Sequence, residues 1–428
     1  LTRNMKDSGV EWIGDIPEDW EIIKTKRKFK TNKTIVGDKY TNFDRLSLTL
    51  NGVLKRPFDD NKGLQPQNLK TYQILNESDL IFKLIDLENV KTSRVGYSNY
   101  QGLVSPVYIR LINPTETRFG YYYYMNMWYQ EIFNALGAGV RSSLSATDLL
   151  NIPYIFISSV KEKHNIVEFL DKKINQINTI ISDTQQSIIE LKKYKQSLIT
   201  ETVTKGLDKT VEMKDSGIEV LGKINKDFRI ISLGYLGNFQ NGISKSGDSF
   251  GKGYPFVSYS DVYKNRVLPK KTTNLVQSTI EEQKNYSVRK NDIFFTRTSE
   301  IIEEIGMSSA CYETIEQATF SGFVIRFRPN VNIFLVKFLR YFLEGSFVRE
   351  YFSKEMNIVT RASLGQGLLK KLPIVLPSLE EQQQIVEFLD NKTSKIDSLI
   401  ADKEKMITEY ELYKKSLIYE YVTGKKQV

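Results

Sequence analysis

Ile166-Val167-Glu168-Phe169-Leu170-Asp171 returns residue for residue as Ile385-Val386-Glu387-Phe388-Leu389-Asp390, 219 positions further along a chain of 428 residues. The same offset then holds without a gap for about forty residues, setting Tyr194 on Tyr413 and Ser197-Leu198-Ile199 on Ser416-Leu417-Ile418. A second anchor lies upstream, where Met5–Gly9 reads MKDSG and Met213–Gly217 reads the same, 208 positions apart. Beyond it Trp20 falls on Phe228. Two identities in the same order at nearly the same offset mark a duplication. Between the anchors only echoes remain: Ser78–Phe82 against Asn291–Phe295, Ser105 with Val107–Arg110 against Ser321 with Phe323–Arg326, and Arg141–Leu144 against Arg361–Leu364. Each half is therefore a variable block followed by a well-kept segment.

The kept segment reads as a long helix. It opens with Ser159 and Glu162, repeated as Ser378 and Glu381, the Ser-x-x-Glu pattern that satisfies free N-terminal amides. A heptad seam then runs through Leu170, Ile174, Ile177, Ile181, Thr184, Ile188, Leu191, Lys195 and Leu198, seven of the nine apolar. In the second copy the seam is Leu389, Thr393, Ile396, Ile400, Lys403, Ile407, Tyr410, Lys414 and Leu417. About 40 helical residues span roughly 60 Å, and neither copy can bury such a stripe alone. The two helices are expected to pair. The variable blocks look mixed: Leu103–Leu111 and Phe323–Phe327 read as strands, Phe119–Leu136 and Val331–Phe352 as aromatic-rich helices. Because the tail Val422-Thr423-Gly424-Lys425 has the look of Val203-Thr204-Lys205-Gly206, the two chain ends are expected to lie close together.

Composition narrows the function. One cysteine (Cys311) excludes a disulfide framework and a Cys-based zinc site, one histidine (His164) leaves little material for a His-based triad or metal cluster, and both suit a reducing cytoplasm. No apolar run is long enough to span a membrane. Gly137-Ala138-Gly139 and Gly251-Lys252-Gly253 lack a strand–turn–helix frame, and no phosphate-binding loop occurs. Asn151-Ile152-Pro153-Tyr154 has only a surface likeness to an amine-holding methyltransferase motif, and its repeat Lys371-Leu372-Pro373-Ile374 keeps none of the functional atoms. Asp59-Asp60 and Glu303-Glu304 read as solvated charge. His164 reads as a surface residue and Cys311 as core.

Binding chemistry is easier to find. Lys plus Arg exceed Asp plus Glu by 60 to 51, a formal charge of +9 that favours polyanions. Lys24, Lys26, Arg27, Lys28, Lys30 and Lys33 crowd one stretch, and Lys264, Arg266, Lys270 and Lys271 crowd what reads as its rough counterpart. Such clusters suit phosphate contacts; each alone is more often a solvated face, but a comparable one in both blocks favours binding. Base reading needs forked or hydroxyl donors. The candidates are Arg94, Arg141, Arg297 with Thr298 and Ser299, and Arg361. Pinning a loop or a helix end is the competing role for Arg141 and Arg361.

The layout resembles the specificity subunits of type I restriction–modification systems. The residues that carry the likeness are Glu11-Trp12-Ile13-Gly14, Ile16-Pro17 and Trp20 at the head, and Asp292–Thr298 within the second block. At the junctions they are Ile152-Pro153 and Leu372–Gln382, each followed by Ile-Val-Glu-Phe-Leu-Asp; the first junction, Ser158–Lys163, departs from the pattern. The resemblance implies an α+β fold of two tandem mixed α/β target-recognition domains, each followed by a long α-helix. The two helices would pair as an antiparallel coiled coil with pseudo-twofold symmetry. The expected divisions are 1–157 and 226–377 for the recognition domains, 158–204 and 378–428 for the helices, and 205–225 for the linker with the repeated MKDSG. It further implies a non-catalytic chain that reads a bipartite DNA target across an unread spacer. Its partners would be two modification subunits using S-adenosylmethionine and restriction subunits using ATP and Mg. The alternatives are the recognition part of a fused methyltransferase–nuclease, and a coiled-coil interaction protein that never meets DNA.

Overall fold

Ser159 and Ser378 open the two long helices: in the computed structural model each hydroxyl accepts the amide three residues on, Glu162 or Glu381, at 3.2 Å. The structure describes residues 3–57, 59–60, 68–88, 93–137, 142–299, 304–355 and 362–428. The helices run Val160–Lys205 and Leu379–Val422, 46 and 44 residues without an internal Pro or Gly to break them. Each is followed by a glycine in the left-handed region, Gly206 (φ +78°) and Gly424 (φ +72°), where a side chain would be strained.

The chain divides into two units, Leu1–Gln185 with Lys405–Val428 and Gln186–Glu404, and each long helix contributes to both. In the first unit the start of one helix runs against the end of the other. The rings of Phe169 and Tyr421 lie 4.5 Å apart, and Lys414 Nζ reaches Asn178 Oδ1 at 3.3 Å. In the second unit Lys195 Nζ binds Asp397 at 2.6 Å and Lys192 approaches Glu404 at 3.7 Å. The pairing is antiparallel in both. Leu170, Ile177, Ile181, Ile188, Leu389, Ile396, Ile400 and Leu417 are buried; Ile174, Leu191, Leu198, Ile407 and Tyr410 are half-buried. The polar seam residues are accommodated individually. Thr184, buried, turns its hydroxyl back to the Ile180 carbonyl at 2.7 Å, and Lys195 reaches out to Asp397.

The first unit's block is built on two four-stranded sheets. In one, 52–56, 45–49, 102–104 and 73–75 lie in that order; in the other, 30–31, 109–112, 80–82 and 95–97. Leu103–Leu111, expected as one strand, is two, broken by a turn at Pro106-Val107. The expected aromatic helix divides into Thr117–Tyr129 and Ile132–Leu136 because Glu131 adopts a left-handed φ of +59° between them. Its rings Phe119, Tyr122, Tyr123, Tyr124 and Phe133 fill the core together with Phe29, Phe82 and Tyr154, all almost wholly inaccessible. Pro153–Phe156 pairs antiparallel with Glu21–Lys24 and delivers the chain into the first long helix.

The second unit repeats this frame with different filling. Pro373–Leu376 pairs with Arg229–Ser232 and leads into the second helix. A four-stranded sheet runs 237–241, 324–329, 293–296, 308–310, and a three-stranded one runs 275–276, 250–257, 319–320. Each unit contains a parallel strand pair, Leu103 on Arg45 in the first and Phe256 on Thr319 in the second. The helical segment divides at Gly345 into Val336–Leu343 and Ser346–Glu355.

The heads of the two repeats dock in matching ways. Gly206 packs on Phe228 and Asn225 as the chain leaves the first helix. At the other end Gly424 packs on Trp20 and Pro17, the equivalents of those two residues, and Lys425 Nζ donates to the carbonyls of Ile13 (2.9 Å) and Asp15 (3.2 Å). Residues at the two ends therefore meet, as the repeat leads one to expect.

One difference between the docks is testable. Arg3 lies over Trp20 and bridges Glu162 and Asp19, which takes the Ser159–Glu162 carboxylate away from its own helix start. In the second copy Arg3 is replaced by Val211, so Glu381 and Asp227 have no matching cation from that position. Burial, with Asp227 and Asp208 nearby, raises the Glu381 carboxyl above its ordinary value. A carboxyl raised on folding is protonated in the native state before the unfolded one. Stability therefore falls as pH climbs through the interval just above the ordinary glutamate value. Val211→Arg is expected to add about 0.5–1 kcal/mol at neutral pH and to flatten that pH dependence in urea unfolding. An unchanged midpoint at both pH 5 and pH 7 would show that the cation does not reach the pair.

Candidate nucleic-acid interface

In the second unit, strand Ile293–Thr296 is buried along its whole length and runs out into Arg297-Thr298-Ser299. That exit is held from three sides. Met307 and Phe323 offer carbonyls to the amides of Thr296 and Arg297 at 2.9 Å, Leu364 donates to the Arg297 carbonyl at 2.7 Å, and Thr298-Ser299 pairs with Ala362-Ser363. Among the described residues the Arg297 guanidinium makes one long bond, 3.4 Å to the Gly322 carbonyl, and it stays partly exposed. Beside it the rings of Tyr259 and Tyr263 stack, 5.9 Å apart and 14° from parallel, on a helix closed by a Ser258–Asp261 capping box. Arg361 and Arg141 lie outside the described residues.

The basic clusters need a correction. Lys24, Lys26, Arg27, Lys30 and Lys33 are exposed, while Lys28 is half-buried with its ammonium 3.9 Å from the Phe156 ring centre. Lys26 and Arg27 sit in the turn Thr25–Arg27, after the strand that pairs with Pro153–Phe156. The matching turn of the second unit is Leu233–Tyr235, after the strand that pairs with Pro373–Leu376. It holds Gly234 and an exposed Tyr235 where the first holds Lys26 and Arg27. Lys264, Arg266, Lys270 and Lys271 belong to a different place, the end of helix Tyr259–Lys264 and the segment after it. There Lys270 is paired with Glu313 at 2.6 Å and Arg266 lies 3.8 Å from the Met307 sulfur. The two clusters are not counterparts.

Arg94 is also corrected. It is 1% exposed, and its guanidinium donates to the carbonyls of Ile85, Asp86 and Leu87 at 3.4, 3.0 and 2.7 Å. It pins that loop from inside and has no face for a base edge. Cys311 is buried, which pushes its thiol up to about 12, and His164 is exposed beside Glu168.

Comparison with known proteins bears on this arrangement. Residues 225–409 match the family model of the type I restriction modification DNA specificity domain. That stretch belongs to the specificity-domain family. It is 24% identical to the putative type I restriction enzyme MjaX specificity subunit of Methanocaldococcus jannaschii, over 97% of this chain and 96% of that one. It is 22% identical to the EcoKI specificity subunit of Escherichia coli K12, over 90% of this chain and 84% of that one. A chain from a solved type I restriction–modification system, studied for its complex assembly and conformational transition, superposes with a TM-score of 0.70. The two are 13% identical, and the match covers 96% of this chain and 99% of that one, which shows the shared fold.

The chain also has a joint that the sequence reading overlooked. Asp171, the last residue of the repeated hexapeptide, accepts Tyr122 Oη at 2.5 Å and faces the Arg118 guanidinium; Asp390 accepts Tyr341 Oη at 2.6 Å and faces Lys337 at 3.7 Å. Arg118 and Lys337, like Tyr122 and Tyr341, stand 219 apart, the offset of the helices. The signal was a cation, a Phe and a Tyr at one spacing in both aromatic helices, hidden by the divergence around it.

Proposed function

We propose that this chain is the sequence-reading, non-catalytic subunit of a type I restriction–modification assembly, directing separate modification and restriction subunits to a bipartite DNA target. The observation that carries the reading is the doubled joint. Two blocks with different surfaces, assigned here to 1–157 and 226–377, are each fastened through the same Tyr–Asp contact to one of two helices that pair antiparallel. Such a design fits the reading of two unlike half-sites with an untouched spacer whose length the helices set.

Two modification subunits fit the doubling. Ile180 and Tyr194 on the first helix, and Leu399 and Tyr413 on the second, are exposed apolar residues at positions related by the repeat, a pair of like surfaces for two like partners. No helix among the described residues is long and apolar enough to cross a membrane, and we place the complex in the cytoplasm with the DNA it acts on.

The test is methylation-site mapping in cells expressing the complex, before and after exchanging residues 226–375 for another block. One half-site should change and the other persist. If both changed, the modular reading would fail.

A further inference from the structure

Two exposed apolar residues occupy the same place in the two blocks. Val107 follows Ser105-Pro106 at the tip of the turn entering strand Ile109–Ile112, and Phe323 follows Ser321-Gly322 at the tip of the turn entering Val324–Pro329. Both strands are interior to their sheets. Val107 is 54% exposed and Phe323 63%.

Single exposed apolar residues are ordinary and ask for no explanation. Three features set these apart. Turn tips favour Gly, Asn, Asp or Ser, so an apolar residue there brings nothing to the turn itself. The position recurs in both copies of a fold whose blocks otherwise differ around it, one copy with Val and the other with Phe. And both tips are rigidly built. Ser321 accepts the Phe323 amide on its hydroxyl (3.2 Å) and the Val324 amide on its carbonyl (2.9 Å), Gly322 donates to Ile243 at 2.7 Å, and the Phe323 carbonyl takes the Arg297 amide. Around Val107, the buried Gln73 donates to the carbonyls of Ser105 and Tyr108 at 3.0 and 2.7 Å.

The neighbours point to the occupant. Val107 stands at the rim of a hollow of about 260 Å³ with Thr31, Asn32 and Lys33 in its wall; Phe323 stands beside Arg297 and the hydroxyl-bearing Thr298-Ser299. An apolar projection set among cationic and hydroxyl donors matches a DNA groove, where phosphates flank base edges and thymine methyls. We propose that Val107 and Phe323 are equivalent specificity-determining contacts, each packing on base edges of one half-site of duplex DNA. This deepens the reading of the chain as a specificity subunit and rests on it.

The experiment uses the complex purified with its modification subunits, S-adenosylmethionine, and duplexes carrying the mapped target with each position randomised in turn. Phe323→Ser should lower discrimination roughly tenfold at one or two base pairs of the second block's half-site and leave the other half-site untouched. Val107→Ser should do the reverse, and Phe323→Leu should retain most of the preference. Melting curves verify that the variants fold. Unchanged preference in both serine variants overturns the proposal. So does loss of the modification subunits on gel filtration, which would make the tips protein contacts. If the unsubstituted complex methylates no defined sequence, the functional reading beneath the proposal falls as well.

Discussion

Lys163→Met is expected to cost the first unit about 3–5 kcal/mol and to lower its melting temperature by roughly 10 °C. Lys163 Nζ lies 2.6 Å from Glu116 Oε1, with side chains only 10% and 5% exposed, and Tyr154 Oη donates to the other carboxylate oxygen at 3.2 Å. Glu116 is the residue at the start of the aromatic helix Thr117–Tyr129, and Lys163 stands in the first turn of the long helix. The pair therefore joins block to helix. Removing the ammonium leaves a carboxylate buried without its countercharge, which is the costly half of a buried ion pair. The second copy shows that a charge is not required there: at the equivalent position Gln382, wholly buried, accepts the Leu335 amide at 2.8 Å and donates to Ile333 and Pro377 at 3.2 and 3.0 Å. Lys163→Met combined with Glu116→Gln should accordingly recover most of the loss, since the amide keeps an acceptor for Tyr154 and carries no charge. Urea unfolding of the two variants decides between causes. A double variant as unstable as the single one would mean that the lysine stem, not the unpaired charge, holds the joint.

The long helices were legible because a heptad seam and a serine start are local signals that tertiary context did not override. The sheets were not. Leu80–Phe82 and Ile293–Thr296 are buried on both faces and show no alternation, and pairs as short as Thr319-Phe320 carry no pattern at all. The mistaken pairing of the basic clusters has a different cause. The 208 offset of the head still holds at this turn and sets Lys26 on Gly234, as the strand pairing does, but likeness of charge drew the match to Lys264–Lys271 instead. Arg94 and Arg297 looked alike in sequence, each next to Ser or Thr. Only three-dimensional burial separates the loop pin from the partly exposed guanidinium.

The helix pair invites a deletion that keeps its seam in phase. Removing Asn178–Thr184 takes out one heptad of the first helix, and removing Thr408–Lys414 takes out the stretch that runs against it in the same unit, as the Asn178–Lys414 contact shows. Each removal shortens its helix by about 10 Å and turns the seam by only about 20°. If the pair sets the distance between half-sites, such a change displaces one reader by about three base pairs along duplex DNA, at roughly 3.4 Å each. The Tyr122–Asp171 and Tyr341–Asp390 joints lie outside the removed stretches. The doubly shortened chain should assemble with its modification subunits yet no longer methylate the target at its original gap, while still preferring the same two half-site sequences. Deleting only one of the two heptads should instead abolish assembly, because every seam contact beyond the cut is then out of register. Methylation at the unaltered gap by the doubly shortened chain would show that something other than the helices measures the spacer.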